Sequence, residues 1–218
     1  MFAVSRLSRY VCNRTVSSAT PVNTMHIVFI GPPGAGKGTQ AQKLTNHLAI
    51  PHLSTGDLLR GLRDDNTPLG AEARKHLDAG ELLPDSAVAG LVFKKLMMSG
   101  YSQGSLLDGF PRTIAQAVLL DEFLAKRSTR LHLAIKLYAN DQVLMQRLSS
   151  RGRGDDTPAT IKKRLAIYAR ETRPLLDYYR KCNLLHTIDG HGTTDDVFTR
   201  IEQCIDASRT NTNIDESA

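Results

Sequence analysis

Residues 27 to 40 read Ile-Val-Phe-Ile-Gly-Pro-Pro-Gly-Ala-Gly-Lys-Gly-Thr-Gln, an apolar run with strand character that breaks directly into a turn of glycines, prolines and one lysine. No other stretch limits the fold so strongly. Gly34, Gly36 and Gly38 can take φ values closed to other residues, so successive N–H groups from Gly34, Ala35, Gly36, Lys37, Gly38 and Thr39 are expected to turn inward around an anion. A helix beginning near Lys37 would aim its unsatisfied N–H groups and the positive end of its dipole at the same point. Lys37 adds a full charge there.

The interval from Gly31 to Lys37 has the spacing G-x-x-x-x-G-K of a phosphate-binding loop for nucleoside triphosphates, with one departure. Gly38 stands where most such loops place the Ser or Thr that holds Mg²⁺. A turn that merely joined a strand to a helix would have no need of the lysine.

Further along, strand-like apolar runs near 26–30, 105–107, 131–137 and 184–188 alternate with helical patterns from 37, 113 and 140. That order predicts an α/β fold, a parallel sheet with helices on both faces. Thr55 to Arg60 reads as a helix entry, and 67–99 as helical with breaks at Gly80 and Pro84. Asp108-Gly109-Phe110-Pro111-Arg112-Thr113 follows the apolar pair Leu106-Leu107, so its polar groups emerge at the carboxyl end of a strand, where ligands bind in open α/β sheets. Arg147, Arg151, Arg153, Arg164 and Arg170 gather around Asp155-Asp156, and Gly152 and Gly154 would let the guanidinium groups approach a ligand. Lys162 and Lys163 are adequately read as a solvated basic face.

The 218 residues suit one sizeable domain with small inserts, and a 41% apolar content is enough for its core. Trp is absent and aromatic residues make up only 6%, so no stacking surface for nucleic acid is apparent. The net charge of +6 is partly an effect of residues 1–24, which hold Arg6, Arg9 and Arg14 and no acidic residue. Setting those three arginines aside leaves 25 basic of the 28 against 22 acidic residues, a balance of +3, and a nucleic acid partner is not expected. Residues 1–24 resemble a mitochondrial targeting presequence, with a polar tail of a cytoplasmic protein as the alternative. No apolar run reaches the roughly 18 residues of a membrane span. Cys12, Cys182 and Cys204 lack the spacing of a zinc site and are expected as free thiols. His47, His52, His76 and His186 are expected as surface or capping residues. The end, 207–218, reads as a loose polar tail.

Four segments together, Gly31–Gln40, Ser54–Arg60, Asp108–Thr113 and Arg151–Thr157, resemble the adenylate kinase family of nucleoside monophosphate kinases over residues 25 to about 206. The resemblance implies a P-loop sheet with two further parts, a helical AMP-binding insert at 54–83 and a lid at 151–161. This is the short form of the lid, too short and too poor in cysteine for a tetrahedral zinc site. The implied reaction is ATP + AMP giving two ADP with Mg²⁺ as cofactor, and the alternatives are a GTP:AMP phosphotransferase, a UMP/CMP kinase or a nucleotide-binding protein without catalysis.

By the same resemblance Lys37, Arg147 and Arg151 serve ATP together with the loop from Gly34 to Thr39. Thr55, Arg60, Leu82, Leu83, Gly109, Arg112 and Gln116 serve AMP, and Arg153 and Arg164 close over the transferring group. Catalysis falls to Lys37, Arg112, Arg147, Arg153 and Arg164. Asp108 would orient Mg²⁺ through water, without a direct ligand bond. Thr55 and Thr113 favour AMP over the pyrimidine nucleotides, and the backbone near 189–193 holds the donor base. A monomer is expected, with a trimer as the other form. Ala159 replaces the Glu usual in the lid pattern, which removes an ion pair there.

Overall fold

The computed structural model describes residues 24–63, 65–150, 152 and 157–215. Five strands, β1 (Met25–Ile30), β2 (His52–Ser54), β3 (Gly104–Asp108), β4 (Leu133–Tyr138) and β5 (Leu185–Asp189), form one sheet in the order β2-β3-β1-β4-β5. Every pairing is parallel, as the alternation of strands and helices requires.

β1 lies at the centre because its side chains serve two cores. Val28 and Ile30 point to one face, where they join Leu107, Phe110, Val92, Leu120 and Tyr179. Ile27 and Phe29 point to the other and meet Leu44, Ile135, Leu144, Ile201 and Ile205. The period-2 alternation of a strand thus places both halves of an unbroken apolar run under helices. The first face is covered by α4 (Asp85–Leu96), α5 (Ile114–Ala125) and α8 (Leu175–Lys181). The second is covered by α1 (Lys37–Leu48), α6 (Asp141–Ser150) and α9 (Thr194–Asp215). Removing a buried aromatic such as Phe29 from this kind of packing costs about 3–5 kcal/mol.

Three helices stand apart from these layers in sequence: α2 (Thr55–Leu62) and α3 (Pro68–Ala79) lie between β2 and α4, and α7 (Pro158–Ile167) begins within the segment 151–161 expected as the lid. Ser54 caps α2 by accepting from the Asp57 N–H, and Thr67 caps α3 by accepting from the Gly70 N–H. Thr157 and Thr160 form a reciprocal capping box at the start of α7, with Pro158 at its first turn. Gly80 closes α3 in the left-handed conformation.

Strand order reverses between β1 and β4, since β1 neighbours β3 on one side and β4 on the other. A crevice opens at such a switch point, beyond the carboxyl ends of the strands. Residues 31–36 leave β1 into that crevice.

β2 was not anticipated, because three residues are too few to show a period. The tail expected from 207 opens as a continuation of α9 to Asp215, there being no Gly or Pro in that stretch to stop the helix. Gly38 does not share the left-handed φ of Gly34 (+86°) and Gly36 (+92°), because α1 has already begun at Lys37. Residues 1–23, and 151 and 153–156 of the lid segment, lie outside the described residues, and with them the targeting expectation. Among the described residues no helix is long and apolar enough to cross a membrane.

Candidate active site

A cavity of about 870 Å³ occupies the crevice, lined by the loop from Gly34 to Thr39, Arg147, Thr55, Arg60, Leu82, Leu83, Gly109, Arg112, Gln116 and Arg164, and not by Thr113. Arg151 and Arg153 lie outside the described residues. On one wall the loop from Gly34 to Thr39 wraps the start of α1. The Lys37 ammonium donates to the Gly31 carbonyl at 2.7 Å and the Pro32 carbonyl at 2.9 Å, so it rests against its own loop. A Cβ at Gly34 would stand 2.9 Å from the Leu144 carbonyl and 3.0 Å from Leu148, so the loop is also packed tightly against α6.

Arg147, on α6, reaches across to donate to the Gly190 carbonyl at 3.0 Å. This joins it to the turn after β5, where Gly192 and Thr193 also line the cavity. Gln40 donates to the Thr194 carbonyl at 2.9 Å and ties α1 to the same turn. An arginine plane and a backbone turn thereby flank one end of the cleft.

The opposite wall is built by α2, α3, α4 and the turn after β3. Arg112 follows a cis Phe110–Pro111 bond and donates from Nε to the Gly109 carbonyl at 2.8 Å. Burial disfavours its charged form, Asp108 supports it, and the nearby Arg164 and Arg60 oppose it. The Arg60 and Arg164 guanidinium groups thus crowd the buried charge of Arg112. Arg60 is paired with Asp57, an acidic residue in the first turn of α2. Arg164 approaches the Leu77 carbonyl at 3.5 Å, at the end of α3. Its neighbour Lys163 pairs with Glu81 at 2.8 Å, so that lysine is engaged rather than merely solvated. Arg170 pairs with Glu171 and does not line the cavity.

Asp108 sits between the two walls. Burial pushes its carboxyl up, but His52, Lys37 and Arg112 more than offset this, and the group stays below the usual carboxylate range. His52, read from sequence as a surface or capping residue, lines the cavity instead, its Nε2 standing 3.8 Å from the Asp108 carboxylate. That distance is beyond hydrogen-bond reach. Pairing of β2 with β3 sets it there, with Ser54 aligned to Asp108 in the ladder.

Thr55 is buried and donates to the Asp108 carbonyl at 3.2 Å. Gly109 takes a φ of +82°, and a Cβ there would lie 2.6 Å from the Thr55 hydroxyl and 3.1 Å from Arg112 Nη2. Gly109→Ala is therefore expected to cost about 1–3 kcal/mol of stability. By contrast Gly61→Ala, in open space on α2, is expected to be neutral or stabilising. Thermal melting of the two variants checks this, and equal melting points would refute it.

Gln116 is 1% exposed and lines the cavity. Its amide is held from two sides: Oε1 accepts from the Arg112 N–H at 2.7 Å, and Nε2 donates to Asp85 at 2.7 Å. Asp85 went unnoticed in the sequence, where it is only an acidic residue in a first helical turn. Leu83 is buried and Leu82 half-buried at the same wall.

Positive groups on two walls of one cleft, with the Asp108 carboxylate between them, can hold two phosphorylated ligands end to end. A glycine loop with its lysine at the switch point of a parallel sheet makes this a P-loop phosphotransferase. The sequence model of the family described as "Adenylate kinase" matches residues 29–184. Among curated proteins, "Adenylate kinase 1" of Nostoc sp. is 48% identical over 171 residues, covering 78% of this chain and 93% of that protein. "Adenylate kinase" of Mycolicibacterium smegmatis is 46% identical over 176 residues, covering 81% and 96%. "Adenylate kinase 1" of Synechocystis sp. is 42% identical over 179 residues, covering 82% and 96%. The chain belongs to the adenylate kinase family.

Proposed function

We propose that the protein transfers the terminal phosphoryl group of ATP to AMP, giving two ADP. The observation that carries this is the convergence of Lys37 and the Gly34–Thr39 loop with Arg60, Arg112 and Arg164 on one cavity. Phosphoryl transfer asks little covalent chemistry of a protein; alignment and stabilisation of charge on the moving group are enough. Lys37 leaves its resting carbonyls to meet the β- and γ-phosphates of the donor, while the N–H groups of the loop hold the same oxygens. Arg147 stacks on the donor base, and the turn around Gly190 supplies backbone contacts to its edge. Arg60 and Arg112 hold the acceptor α-phosphate, which relieves the crowding of positive charge among the guanidinium groups. Arg164, with Arg153 from the lid, neutralises charge on the group in transit. No general base is required.

Mg²⁺ carried by the nucleotide fits the donor set present. The described residues contain no cluster of three or more acidic, His or Cys side chains that could form a protein cage. One ionised carboxylate, Asp108, is available beside the loop, and Mg²⁺ retains water and binds through one or two carboxylates plus substrate phosphates. When bound it would supply positive charge against that of the donor phosphates. Asp108 would then hold its water shell, with Thr39 alongside.

The reading is tested by steady-state turnover with each pairing of ATP or GTP against AMP, GMP, CMP and UMP, with Mg²⁺ and with chelator. Fast Mg²⁺-dependent turnover of ATP with AMP is expected. Preference for GTP, or for a pyrimidine acceptor, would replace this assignment with that of a neighbouring kinase, and no turnover with any pair would leave only nucleotide binding.

A further inference from the structure

The side chain that reads the acceptor base is itself held in one orientation by a residue on another helix. We propose that Asp85 is a positioning residue for acceptor specificity, locking the Gln116 amide so that it accepts a 6-aminopurine and rejects a 6-oxopurine. The proposal rests on the reading of Gln116 as the contact to the acceptor base.

Gln116 carries one carbonyl and one NH₂ group, and a purine edge distinguishes them. Adenine offers an acceptor at N1 beside a donor at the 6-amino group, so it meets an amide through an N–H to N1 and a carbonyl to the amine. Hypoxanthine and guanine offer the reverse, a donor at N1 beside an acceptor at O6. An amide free to rotate by 180° serves either edge, and one that cannot rotate serves one.

Two fixed groups forbid the rotation here. The Arg112 N–H, 2.7 Å from Oε1, can only donate. The Asp85 carboxylate, 2.7 Å from Nε2, can only accept. Turning the amide over would set donor against donor on one side and carbonyl oxygen against carboxylate on the other. Nε2 keeps a second hydrogen for a ligand, and Oε1 keeps a second lone pair.

Asp85 is itself held. It is the first residue of α4, where the helix N-terminus favours a negative charge. The Thr113 hydroxyl donates to the same Oδ1 at 3.0 Å, while accepting from the Gln116 N–H at 3.1 Å as the cap of α5. The carboxylate thus links the starts of α4 and α5 at the wall of the cavity. A charge-assisted bond of this type is stronger than a neutral one, so its loss is expected to be visible in binding. A dipole role for Asp85 alone would affect stability and leave base preference untouched.

The test is Asp85→Asn in the full-length chain, since an Asn amide can face either orientation of Gln116. Turnover with saturating ATP is measured against AMP and against IMP, and Asp85→Ser serves as a second variant should the first fail to fold. The expected result is a KM for AMP raised about tenfold, a kcat for AMP within about threefold of the parent protein, and a ratio of kcat/KM for AMP over IMP lowered at least tenfold. Asp85→Glu, which restores a carboxylate, should recover part of the ratio. An unchanged AMP/IMP ratio in Asp85→Asn, or a loss confined to melting temperature, overturns the proposal. Failure of the underlying reading is a separate observation: Gln116→Ala would then leave the KM for AMP at its parent value.

Discussion

Replacement of Lys37 by Met is expected to lower turnover of ATP with AMP by about 10²–10³-fold while leaving the protein folded. The size follows from what the ammonium does. In a cleft shielded from bulk water, one preorganised donor to developing negative charge contributes about that factor to the rate. Met keeps the length and apolar stem of the side chain and loses only the charge. The resting bonds to the Gly31 and Pro32 carbonyls are lost as well, at a cost to stability of about 1–3 kcal/mol. Measuring kcat and the melting temperature together separates these effects. A loss of turnover below tenfold in a folded variant would mean that Lys37 is a structural clasp of the loop and little more.

A second large effect is expected from acid, at the opposite end of the sheet. His26, near the start of β1, is 6% exposed, and its ring lies 6.1 Å from that of His132, just before β4. His132 Nδ1 accepts from the His26 backbone N–H at 3.0 Å, and His26 Nδ1 shares a hydrogen bond with the Ser105 hydroxyl at 2.8 Å. An accepting Nδ1 carries no proton, so the first of these bonds requires a neutral His132. Burial, and then the nearby Arg127, lower His26 to about 4. Burial, then His26 and Arg130, lower His132 to about 4.

Both values lie below the roughly 6.5 of an unfolded histidine, so between about pH 6.5 and 4 the unfolded chain binds more protons than the folded one. Stability is full above that window, falls as pH drops through it, and levels off below about 4. Each ring is expected to contribute on the order of 3 kcal/mol across the window, a large share of the 5–15 kcal/mol typical of a folded protein. Melting temperature should therefore fall steeply from pH 6.5 to 4.5. His132→Asn, whose Oδ1 can take the His26 N–H without titrating, should remove about half of the slope. A flat profile, or an unchanged slope in the variant, would contradict the assignment.

Local chemistry was easily read from the sequence, and pairings made over long distances were not. The glycine loop, the start of α1 at Lys37 and the helix beginning at 113 each depend on residues within a few positions of each other, so spacing alone reveals them. The alternation of strands and helices fixed the parallel sheet for the same reason. His52 was placed on the surface because nothing near it in sequence marks β2; only the ladder with β3 carries it to Asp108. Asp85 was missed because its partners Thr113 and Gln116 lie 28 and 31 residues away. His26 and His132 are 106 residues apart and carry no local signal of burial. Gly38 was credited with a conformational role that belongs to Gly34 and Gly36. In the fold it begins a helix, and a Cβ there would make an ordinary contact at 3.7 Å from Asp108.

The most direct test of the central claim is ³¹P NMR of the protein with equimolar ATP, AMP and Mg²⁺. ATP and AMP are expected to disappear together, with two ADP formed for each pair consumed and no inorganic phosphate released, because the arginines present the acceptor phosphate in place of water. Release of inorganic phosphate from ATP with AMP unchanged would identify a nucleoside triphosphatase that uses the same loop, and would contradict the claim that this cleft joins two nucleotides.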